Sequence, residues 1–447
     1  MKKVIVVIIC MLVSSYLFGQ SKFNFLGKNK DKEEIRFRLI NNLIIFPLEI
    51  NGKQLSFILD TGVNKTILFS LTTSDSLGIH NVDKAVLKGL GGGSPVEALL
   101  SRNNTFRIKS LVSDNDQTLY VVLEDKFDLS SRMGVTIHGI TGYNIFKDFI
   151  VKIDYRNKKL TFYNPKTYVK KRCKKCVSFP LIFHKNKPYI HAKIENLEKA
   201  GTLIDVKLLV DSGGSDALWL FENSKEEIKP PTKFFNDVLG EGLSGIIYGK
   251  RSRISRFIFG PFHIIEPTVS YLDSLSGFNT ERHVGRNGSL GGNILKRFKV
   301  WIDYPNQKIT LKKTGSFTTG FNYNMSGITV TYSGKILVRE AENTEISIYS
   351  TGNRIETASN KLTFVTSYKY FFRPTYKINH VVKGSPADIA GLRKDDLFLA
   401  INNKDAHEYN LEDIVSLFQD RDGRRIFLKI KREGKEMRFK FRLKKEI

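Results

Sequence analysis

The sequence predicts a mainly β protein with two similar lobes and a smaller third domain at the C-terminal end. Short apolar runs recur along the chain, separated by glycine, asparagine and proline, and such runs are typical of strands. The hexapeptide FILDTG at residues 57–62 has a counterpart, LLVDSG, at residues 208–213. From about residue 321 onwards helical periodicity alternates with strand-like runs, which indicates a separate domain.

A second pair of segments supports an internal duplication. Residues 139–155 (GITGYNIFKDFIVKIDY) match residues 288–304 (GSLGGNILKRFKVWIDY) at nearly the separation of the two hexapeptides. Two blocks in the same order at the same spacing indicate two homologous halves. Within each block we expect a short helix, over residues 144–149 and 293–298, followed by a pair of strands.

Two aspartates stand at the ends of the apolar runs in the repeated hexapeptides. A continuous apolar run indicates a buried strand, so Asp60 and Asp211 lie where the chain leaves the core, and a carboxylate there needs a partner. The simplest partner is the other aspartate, because two carboxyl groups in hydrogen-bond range share one proton and can act as acid and base. Asp154 and Asp303 also end strands, but they precede turn residues and are interpreted as structural.

The Asp-Thr-Gly and Asp-Ser-Gly triplets resemble the active-site motif of the aspartic proteases, both pepsin-like and retropepsin-like. The resemblance implies a bilobal acid protease fold, with lobes over residues 34–168 and 179–315 joined by a linker over residues 169–178. It also implies that Asp60 and Asp211 activate a water molecule for peptide hydrolysis, with no metal and no organic cofactor. The residues expected to support this pair are Thr61, Gly62, Ser212 and Gly213.

Glycines are expected in the hairpins that cover a bound peptide and in the turns beside the catalytic loops. The run GLGGG, which contains Gly91 and Gly92, follows the first triplet, and LGEGLSG, which contains Gly242, occupies the corresponding place in the second lobe. We expect hairpins that close over a bound peptide, with ordinary flexible turns as the alternative. Gly142 and Gly291 stand in the repeated blocks, where the resemblance places a glycine turn beside the catalytic loop.

The C-terminal segment resembles a PDZ domain of the type found in bacterial proteases. The octapeptide SPADIAGL at residues 385–392 combines a capping serine, a proline in the first turn and a glycine beyond the end, which predicts a short helix. The strand-like run that follows ends in Ile-Asn, as in that family. We expect the domain over residues 320–447, with an insertion or irregular region over about residues 335–373.

The resemblance to PDZ domains also implies a partner. Such domains bind chain ends by adding a strand to a sheet edge and capturing the carboxylate with backbone amides. The carboxylate loop is expected at Ser326, Gly327 and Ile328. C-terminal peptides are therefore expected to bind here, in addition to the polypeptide substrates of the two lobes.

Composition and the N-terminus indicate export and argue against nucleic acid as a partner. The chain has 71 Lys and Arg against 45 Asp and Glu, a formal net charge of +26. These charges are spread along the chain without an arginine-rich arm, so we expect them to aid solubility and adhesion to anionic envelopes. Residues 1–20 carry two lysines, an apolar run and small residues, as a secretory signal peptide does, with an uncleaved anchor as the alternative.

Export places the mature protein in the periplasm, at the cell surface or outside the cell. No later segment is long and apolar enough to span a membrane, so we expect no integral span after signal removal. Cys173 and Cys176 lie in the expected linker, and we expect a local disulfide or two free thiols there and not a metal site.

The sequence thus predicts an exported aspartic endopeptidase with a C-terminal PDZ domain, for which a monomer suffices because one chain supplies both aspartates. Three alternatives compete. An inactive pepsin-like protein would still bind peptides and act as a two-site scaffold. A serine nucleophile at Ser212 would leave the first triplet unexplained, and purely structural aspartates would not predict a second copy in step with the first.

Overall fold

The computed structural model describes residues 22–27, 30–69, 77–123, 128–198, 201–272, 285–351 and 359–447. The chain forms two compact units, a larger one over residues 1–130, 136–322 and 446–447 and a smaller one over residues 131–135 and 323–445. We call them the bilobal unit and the C-terminal unit. The expected signal peptide over residues 1–20 lies outside the described residues.

The first lobe is built around a large sheet that carries the first hexapeptide. Among the described residues this sheet has nine strands, in the order β1-β9-β6-β10-β5-β4-β8-β7 with β3 beside β4. The elements of the lobe are β1 (Asn24–Phe25), β2 (Lys32–Arg36), β3 (Arg38–Ile40), β4 (Leu43–Ile50), β5 (Lys53–Leu59), β6 (Ile67–Leu68), β7 (Val82–Leu87), β8 (Val96–Ile108), β9 (Leu111–Val122), α1 (Leu129–Met133), β10 (Gly139–Thr141), α2 (Tyr143–Phe146), β11 (Ile150–Asp154) and β12 (Lys159–Tyr163).

The second lobe repeats this plan with a ten-stranded sheet among the described residues, in the order β18-β19-β22-β17-β23-β16-β15-β20-β21 with β14 beside β15. Its elements are β13 (Cys176–Pro180), β14 (Ile182–His184), β15 (Lys187–Glu195), β16 (Leu203–Val210), β17 (Leu218–Phe221), β18 (Phe235–Gly242), β19 (Gly245–Arg253), β20 (Arg256–Phe259), β21 (Phe262–Ile265), β22 (Thr268–Leu272), β23 (Gly288–Leu290), α3 (Gly292–Leu295), β24 (Phe298–Asp303) and β25 (Lys308–Lys313).

A third sheet joins the lobes. Its order is β13-β25-β24-β11-β12-β2, so each lobe contributes three strands. At its centre β11 and β24 pair antiparallel, from Ile150 opposite Asp303 to Asp154 opposite Lys299. Equivalent strands of the two blocks thus face each other across an approximate two-fold axis. The aromatic and aliphatic side chains beneath the three sheets form one continuous buried core, which fixes the lobes relative to each other.

Several boundaries differ from those expected from the sequence. The helices of the repeated blocks are α2 and α3, which begin one residue earlier and end three residues earlier than predicted. The segment expected as a linker already contains the start of β13, which pairs with β25, so the second lobe begins at Cys176. Cys173 and Cys176 form a disulfide, one of the two expected states.

The competing aspartates of the repeated blocks lie in turns. Asp154 accepts hydrogen bonds from the backbone and side-chain amides of Asn157, and Asp303 accepts from those of Asn306. Each carboxylate therefore caps the turn that follows its own strand, as the Asp-Tyr-x-Asn pattern predicts.

The C-terminal unit has a sheet in the order β26-β27-β28-β30-β31, with β29 beside β28. Its helix α4 begins at the predicted cap, where Ser385 Oγ accepts from the Asp388 N–H, and α5 begins with a reciprocal capping box between Asn410 and Asp413. The elements are β26 (Ile328–Thr351), β27 (Ser359–Val381), α4 (Pro386–Ile389), β28 (Leu397–Ile401), β29 (Lys404–Asp405), a 3₁₀ turn (Ala406–Glu408), α5 (Leu411–Phe418), β30 (Arg425–Arg432) and β31 (Lys435–Arg442).

An insertion or an irregular region was expected over about residues 335–373, and the described part of this stretch is regular. Its described part continues β26 and β27 as a long antiparallel hairpin, paired from Lys335 opposite Pro374 to Thr351 opposite Ser359. Of the two expected alternatives, an insertion or an irregular region, the hairpin agrees with the insertion. Among the described residues, no helix has the length and apolarity required to cross a membrane.

Candidate active site

Two strand ends deliver the repeated aspartates to the same place. Asp60 directly follows β5, and Asp211 directly follows β16. Each strand pairs in parallel with a short strand of the repeated block, β10 or β23. The amide of Asp60 donates to Thr141 O (2.9 Å), and the amide of Asp211 donates to Leu290 O (2.9 Å). The same backbone pattern therefore orients both aspartates.

Reciprocal hydrogen bonds lock the two aspartate loops against each other. Thr61 Oγ1 donates to Val210 O (2.6 Å) and accepts from the Ser212 N–H (3.0 Å). In the mirror arrangement, Ser212 Oγ donates to Leu59 O (2.8 Å) and accepts from the Thr61 N–H (3.1 Å). Both side chains are fully buried, so water cannot replace these bonds. The Ser212 hydroxyl is thus committed to the main chain, which argues against a serine nucleophile.

The carboxyl groups of Asp60 and Asp211, which we call the dyad, lie close together, since a single Cβ placed on Gly62 would be 3.1 Å from Asp60 Oδ1 and 3.2 Å from Asp211 Oδ1. The Gly62 N–H donates to Asp60 Oδ1 (2.6 Å), and the Gly213 N–H donates to Asp211 Oδ1 (3.2 Å). Both aspartates keep partial solvent contact. Loss of most surrounding water, together with the Asp211 charge, raises the pKa of Asp60 from 3.8 to about 7. The dyad therefore retains a proton up to near-neutral pH.

Glycine is required where the dyad is most crowded. A Cβ at Gly213 would lie 2.2 Å from the carboxyl carbon of Asp60, which no real side chain tolerates. A Cβ at Gly62 would lie 3.1 Å from Asp60 Oδ1 and 3.2 Å from Asp211 Oδ1, a tight but less severe approach. The two glycines are thus equivalent in the repeat but not in the space around them.

The glycines of the repeated blocks let the chain pass behind the aspartate loops. A Cβ at Gly142 would lie 1.8 Å from Asp60 O, and one at Gly291 would lie 2.2 Å from Asp216 O. Helices α2 and α3 both start at the residue directly after these glycines. The close approach of the backbone explains why both blocks carry glycine at this point.

The tips of the two glycine hairpins meet. The Gly93 N–H donates to Ser244 O (2.7 Å), and the Ser244 N–H donates to Leu90 O (3.0 Å). The Gly89 N–H also donates to Ser244 Oγ (3.1 Å). The first hairpin, formed by β7 and β8, is thereby joined to the second, formed by β18 and β19. We call these hairpins the first and second flap.

Three glycines named from the sequence lie at these flap tips. Gly91 has a φ of +114°, and a Cβ there would lie 2.6 Å from Gly245 O. A Cβ at Gly242 would lie 2.1 Å from Leu90 O. Gly92 belongs to the same turn as Gly91. The glycines therefore allow the two tips to touch, beyond the flexibility expected of them.

Two basic residues of the second lobe act electrostatically on the dyad, and the sequence did not single them out. Lys187 begins β15 after a turn whose Lys185 O accepts from Asn64 Nδ2 (3.3 Å), beside the first aspartate loop. Burial and the nearby Arg286 lower the pKa of Lys187, and the dyad opposes that shift. Arg286 is buried, and its Nε donates to Gly288 O (3.0 Å). Among 71 basic residues no sequence signal marks these two.

An ion-pair network ties the second flap to its lobe. Arg251, on β19, lies 3.0 Å from an Asp216 oxygen and 2.8 Å from an Asp237 oxygen. Asp216 also accepts from Trp219 Nε1 (2.7 Å) and from Ser270 Oγ (2.6 Å). All three charged side chains are less than one-fifth exposed, so screening by solvent is weak.

The expected carboxylate loop of the C-terminal unit uses its amides within the chain. The Ser326 N–H donates to Asn324 Oδ1 (3.0 Å), and the Ile328 N–H donates to Ser326 Oγ (3.0 Å). The Met325 N–H donates to the last carbonyl of α5 (2.9 Å). Gly327 has a φ of +78° and passes close to Ser385. Carboxylate capture here would require some of these bonds to be exchanged.

One cluster among the described residues brings together possible metal ligands outside the dyad. Asp405, His407 and Glu408 place ligand atoms within 4.8 Å of one another on a turn of the C-terminal unit. Two of the three are exposed, and such surface groups are common without a bound ion. The cluster has no connection to the chemistry of the dyad.

Family comparisons divide the chain in the same way as the structure. A family model described as aspartyl protease matches residues 46–145, and a PDZ domain model matches residues 377–432. Two curated relatives, from Chlamydia trachomatis and Chlamydia muridarum, are each described as a probable periplasmic serine endoprotease DegP-like. Each is 46% identical over 59 residues, 13% of this chain and 12% of the relative. The chain thus aligns with about an eighth of the length of these relatives.

A solved structure adds one further comparison. The aspartic proteinase from Irpex lacteus aligns with a TM-score of 0.42 at 14% identity, covering 65% of this chain and 99% of that protein. The predicted fold class, mainly β with an aspartyl-protease-like region followed by a PDZ domain, is confirmed by the strands of the structure and by the two family models. The chain therefore carries a segment of the aspartyl protease family and, after it, a PDZ domain.

Proposed function

We propose that the protein is an aspartic endopeptidase. The observation that carries this proposal is the dyad: two carboxyl groups from the two halves of one chain, brought close together, with the pKa of Asp60 raised to about 7. Such a pair holds one proton and one negative charge, so it can donate and accept a proton at the same substrate. The Thr61 and Ser212 hydroxyls hold the two loops in this geometry.

The chemistry needs only the dyad and water. The ionised carboxylate takes a proton from a water molecule as the water oxygen attacks the carbonyl carbon of the peptide. The protonated carboxyl gives its proton to the carbonyl oxygen, which produces a tetrahedral diol. Transfer of a proton to the nitrogen then breaks the C–N bond and releases an acid and an amine, and the dyad returns to its single-proton state.

The flaps define the kind of substrate. Their tips are joined by three hydrogen bonds, and we propose that a polypeptide enters beneath them when these bonds open. Backbone amides freed at Gly93 and Ser244 would then face the peptide backbone, which favours an extended chain over a small molecule. Because both aspartates belong to one chain, a monomer is sufficient.

Two conservative substitutions test the proposal. Purified protein, Asp60→Asn and Asp211→Asn are incubated with an unfolded protein from acidic to neutral pH, and new amino termini are measured. Asp205→Asn serves as a matched control, because Asp205 lies on the surface of β16, the strand that delivers Asp211. We expect cleavage by wild type and the control only, with a loss of at least about a thousandfold in each dyad variant.

The same assay addresses an inactive, peptide-binding protein. That alternative predicts no cleavage by wild type but equal retention of peptides by wild type and Asp60→Asn. Cleavage that survives both dyad substitutions would refute the aspartic mechanism altogether.

We propose further that the C-terminal unit binds polypeptide C-termini and that the protein is exported. Strand β26 lies at the edge of its sheet next to α5, which leaves an edge for strand addition. Binding of a free C-terminal peptide, but not its amidated form, to the full-length Asp60→Asn variant tests the first point. Cell fractionation with mass measurement of the mature N-terminus tests the second.

A further inference from the structure

The long hairpin of the C-terminal unit presents an aromatic face that the proposed peptidase activity does not use. From Lys335 opposite Pro374 to Ala341 opposite Tyr368, β26 and β27 pair without a bulge. Side chains therefore alternate between two faces of the hairpin. We call one of them the aromatic face; it comprises Lys335, Leu337, Arg339, Ala341, Tyr368, Tyr370 and Phe372.

The large side chains of this face are strongly exposed. Leu337 is 58% exposed, Tyr368 47%, Tyr370 61% and Phe372 71%. At about 150–250 Å² for each aromatic side chain, they present on the order of 400 Å² of apolar surface. That is as large as the biggest apolar patches of ordinary soluble monomers, about 300–600 Å², which are often functional. The aromatic face therefore has the size of an interaction surface.

The charges on this face are all positive. The Arg339 guanidinium lies over the Tyr368 ring, 4.3 Å from its centroid, and Lys335 is exposed at the base of the hairpin. Glu340 belongs to the opposite face, where it pairs with Arg373 at 2.7 Å. Over residues 335–341 and 368–374, whose side chains are described, the aromatic face carries no carboxylate. The opposite face also carries two cations, Arg373 and Lys369, so the aromatic face differs from it in having no carboxylate and in the greater exposure of its large side chains.

We propose that the aromatic face docks the protein onto an anionic lipid bilayer. Tyrosine, phenylalanine and leucine interleaved with arginine and lysine is the composition of segments that lie in the membrane interface. The seven residue pairs span about 20 Å, an extended contact that suits a lipid surface better than a narrow pocket. The excess of basic residues, +26 over the chain, adds long-range attraction to anionic headgroups.

Charge complementarity favours lipid over a second copy of the chain. In a two-fold symmetric contact the same patch meets itself, so two patches that each carry Arg339 and Lys335 and no carboxylate would be brought together. An anionic bilayer instead supplies opposite charge to both cations and an apolar layer to the aromatic rings. A bound polypeptide is the other candidate occupant of the aromatic face, and the experiment below distinguishes it from lipid.

A pair of cross-strand variants tests the proposal in the full-length protein. Leu337→Ser with Phe372→Ser removes one directly opposed apolar pair from the aromatic face. Val338→Ser with Phe371→Ser removes the adjacent pair from the other face and is the matched control. We measure flotation with phosphatidylcholine vesicles with and without phosphatidylglycerol, after checking both variants by circular dichroism. All forms share the same N-terminus, so the ratio of the vesicle-bound fractions of variant and wild type reports the effect of the hairpin substitutions alone.

We expect binding to anionic vesicles to fall at least about tenfold in the first variant and to change less than about threefold in the control. Equal losses in both variants, or equal wild-type binding to neutral and anionic vesicles, would overturn the proposal. It would also be overturned if sedimentation showed that wild type is a dimer and the first variant a monomer. The same holds if the first variant lost binding to unfolded protein and kept its binding to vesicles.

A local probe gives a second, independent measurement. Phe372→Trp and Phe371→Trp place an indole on the aromatic face and on the opposite face of the same strand. Vesicles that contain brominated lipid should quench the added fluorescence of the Trp at position 372 and leave that at position 371 nearly unchanged. Equal quenching at both positions, or none at position 372, contradicts docking through this face.

Discussion

The two lobes of the bilobal unit share one backbone plan around the dyad but differ in the charges they place beside it. Each lobe delivers its aspartate from a strand paired in parallel with the repeated block, and each contributes one hydroxyl to the mutual brace. Strands β11 and β24 even pair with each other across the approximate axis. Duplication therefore preserved the geometry that holds the two carboxyl groups together.

The difference begins in the hairpin that precedes each hexapeptide. In the first lobe two residues with positive φ, Asn41 and Asn42, lead into Leu43, which is buried. In the second lobe Lys185 and Asn186 adopt the same conformation and lead into Lys187. An apolar side chain in one lobe is thus replaced by a cation in the other. The site is therefore symmetric in its backbone geometry and asymmetric in the charges of its surroundings.

The flaps repeat this contrast. The second flap is tied to its lobe by Arg251 with Asp216 and Asp237, all largely buried. In the first lobe, the pair of Arg107 with Glu49 on β8 and β4 is 3.8 Å apart and considerably more exposed. The ion pairs of the second flap are therefore less screened by solvent than this pair of the first lobe. Four predictions test how far the asymmetry reaches, from the largest expected effect to the smallest.

The two glycines of the aspartate loops, Gly62 and Gly213, should respond differently to alanine. Gly213→Ala forces the Asp60 carboxyl to move, because a Cβ would sit 2.2 Å from its carbon, whereas Gly62→Ala meets neighbours at 3.1–3.2 Å. A displacement of about 1 Å at a reacting group costs about a hundredfold in rate, so we expect at least that loss in Gly213→Ala and about tenfold in Gly62→Ala. Peptide cleavage rates measure both losses. Equal losses in the two variants would contradict the difference in crowding around the two glycines.

Breaking the flap network should destabilise the second lobe. Arg251→Met leaves two poorly solvated carboxylates without their cation, and we expect a loss of about 3 kcal/mol in the free energy of unfolding. The matched control is Arg107→Met, which breaks the exposed pair of the first lobe and should cost less than about 1 kcal/mol. Urea unfolding measures both, and similar costs would contradict a firmer second flap.

Replacing Asp60 should stabilise the fold at neutral pH. A raised pKa in the folded state favours folding fully below pH 3.8, and this contribution is lost as the pH rises through about 7. Asparagine does not ionise, so Asp60→Asn avoids that loss. We expect it to exceed wild type by about 2 kcal/mol above neutrality, half the full linkage value because the carboxyl is partly solvated, and to equal wild type in acid. Thermal unfolding at both pH values checks the sign.

The cation beside the dyad should set the alkaline limit of activity. Lys187 lowers the pKa of Asp60, so Lys187→Met should raise it. The dyad then keeps its proton to higher pH, and the falling limb of the pH–rate profile should move upward. Leu43→Met, at the equivalent position of the first lobe, is the control and should leave that limb in place. A downward shift in Lys187→Met would show that the cation acts in another way.

The sequence predicts the contiguous part of the site and little of its surroundings. The duplicated triplets contain Asp60, Thr61, Asp211 and Ser212. Two copies at the same spacing from their repeated blocks are expected when the fold brings them together. The flap glycines are recognisable because runs of glycine are rare. In physical terms, chemistry that needs particular residues at fixed spacing leaves a pattern in the sequence.

The parts that sequence reasoning missed depend on distant packing. Lys187 is one basic residue among many, and only the folded hairpin shows that it acts on the dyad. The contact between the flap tips joins Gly93 to Ser244, which are far apart in the chain. The long hairpin of β26 and β27 has no place in the usual PDZ plan, so the sequence predicts only an insertion or an irregular region there and not its strand pairing.

The central claim is that Asp60 and Asp211 share one proton, and a carboxyl titration tests it most directly. Protein labelled with ¹³C at the aspartate carboxyl carbon is titrated by NMR, and the Asp60 signal is assigned by its loss in Asp60→Asn. We expect the Asp60 signal to titrate at about pH 7 in wild type and at lower pH in Asp211→Asn, where the neighbouring charge is gone. An Asp60 carboxyl that titrates near pH 3.8 in both proteins, as an isolated aspartate does, would contradict the shared proton and the proposed mechanism.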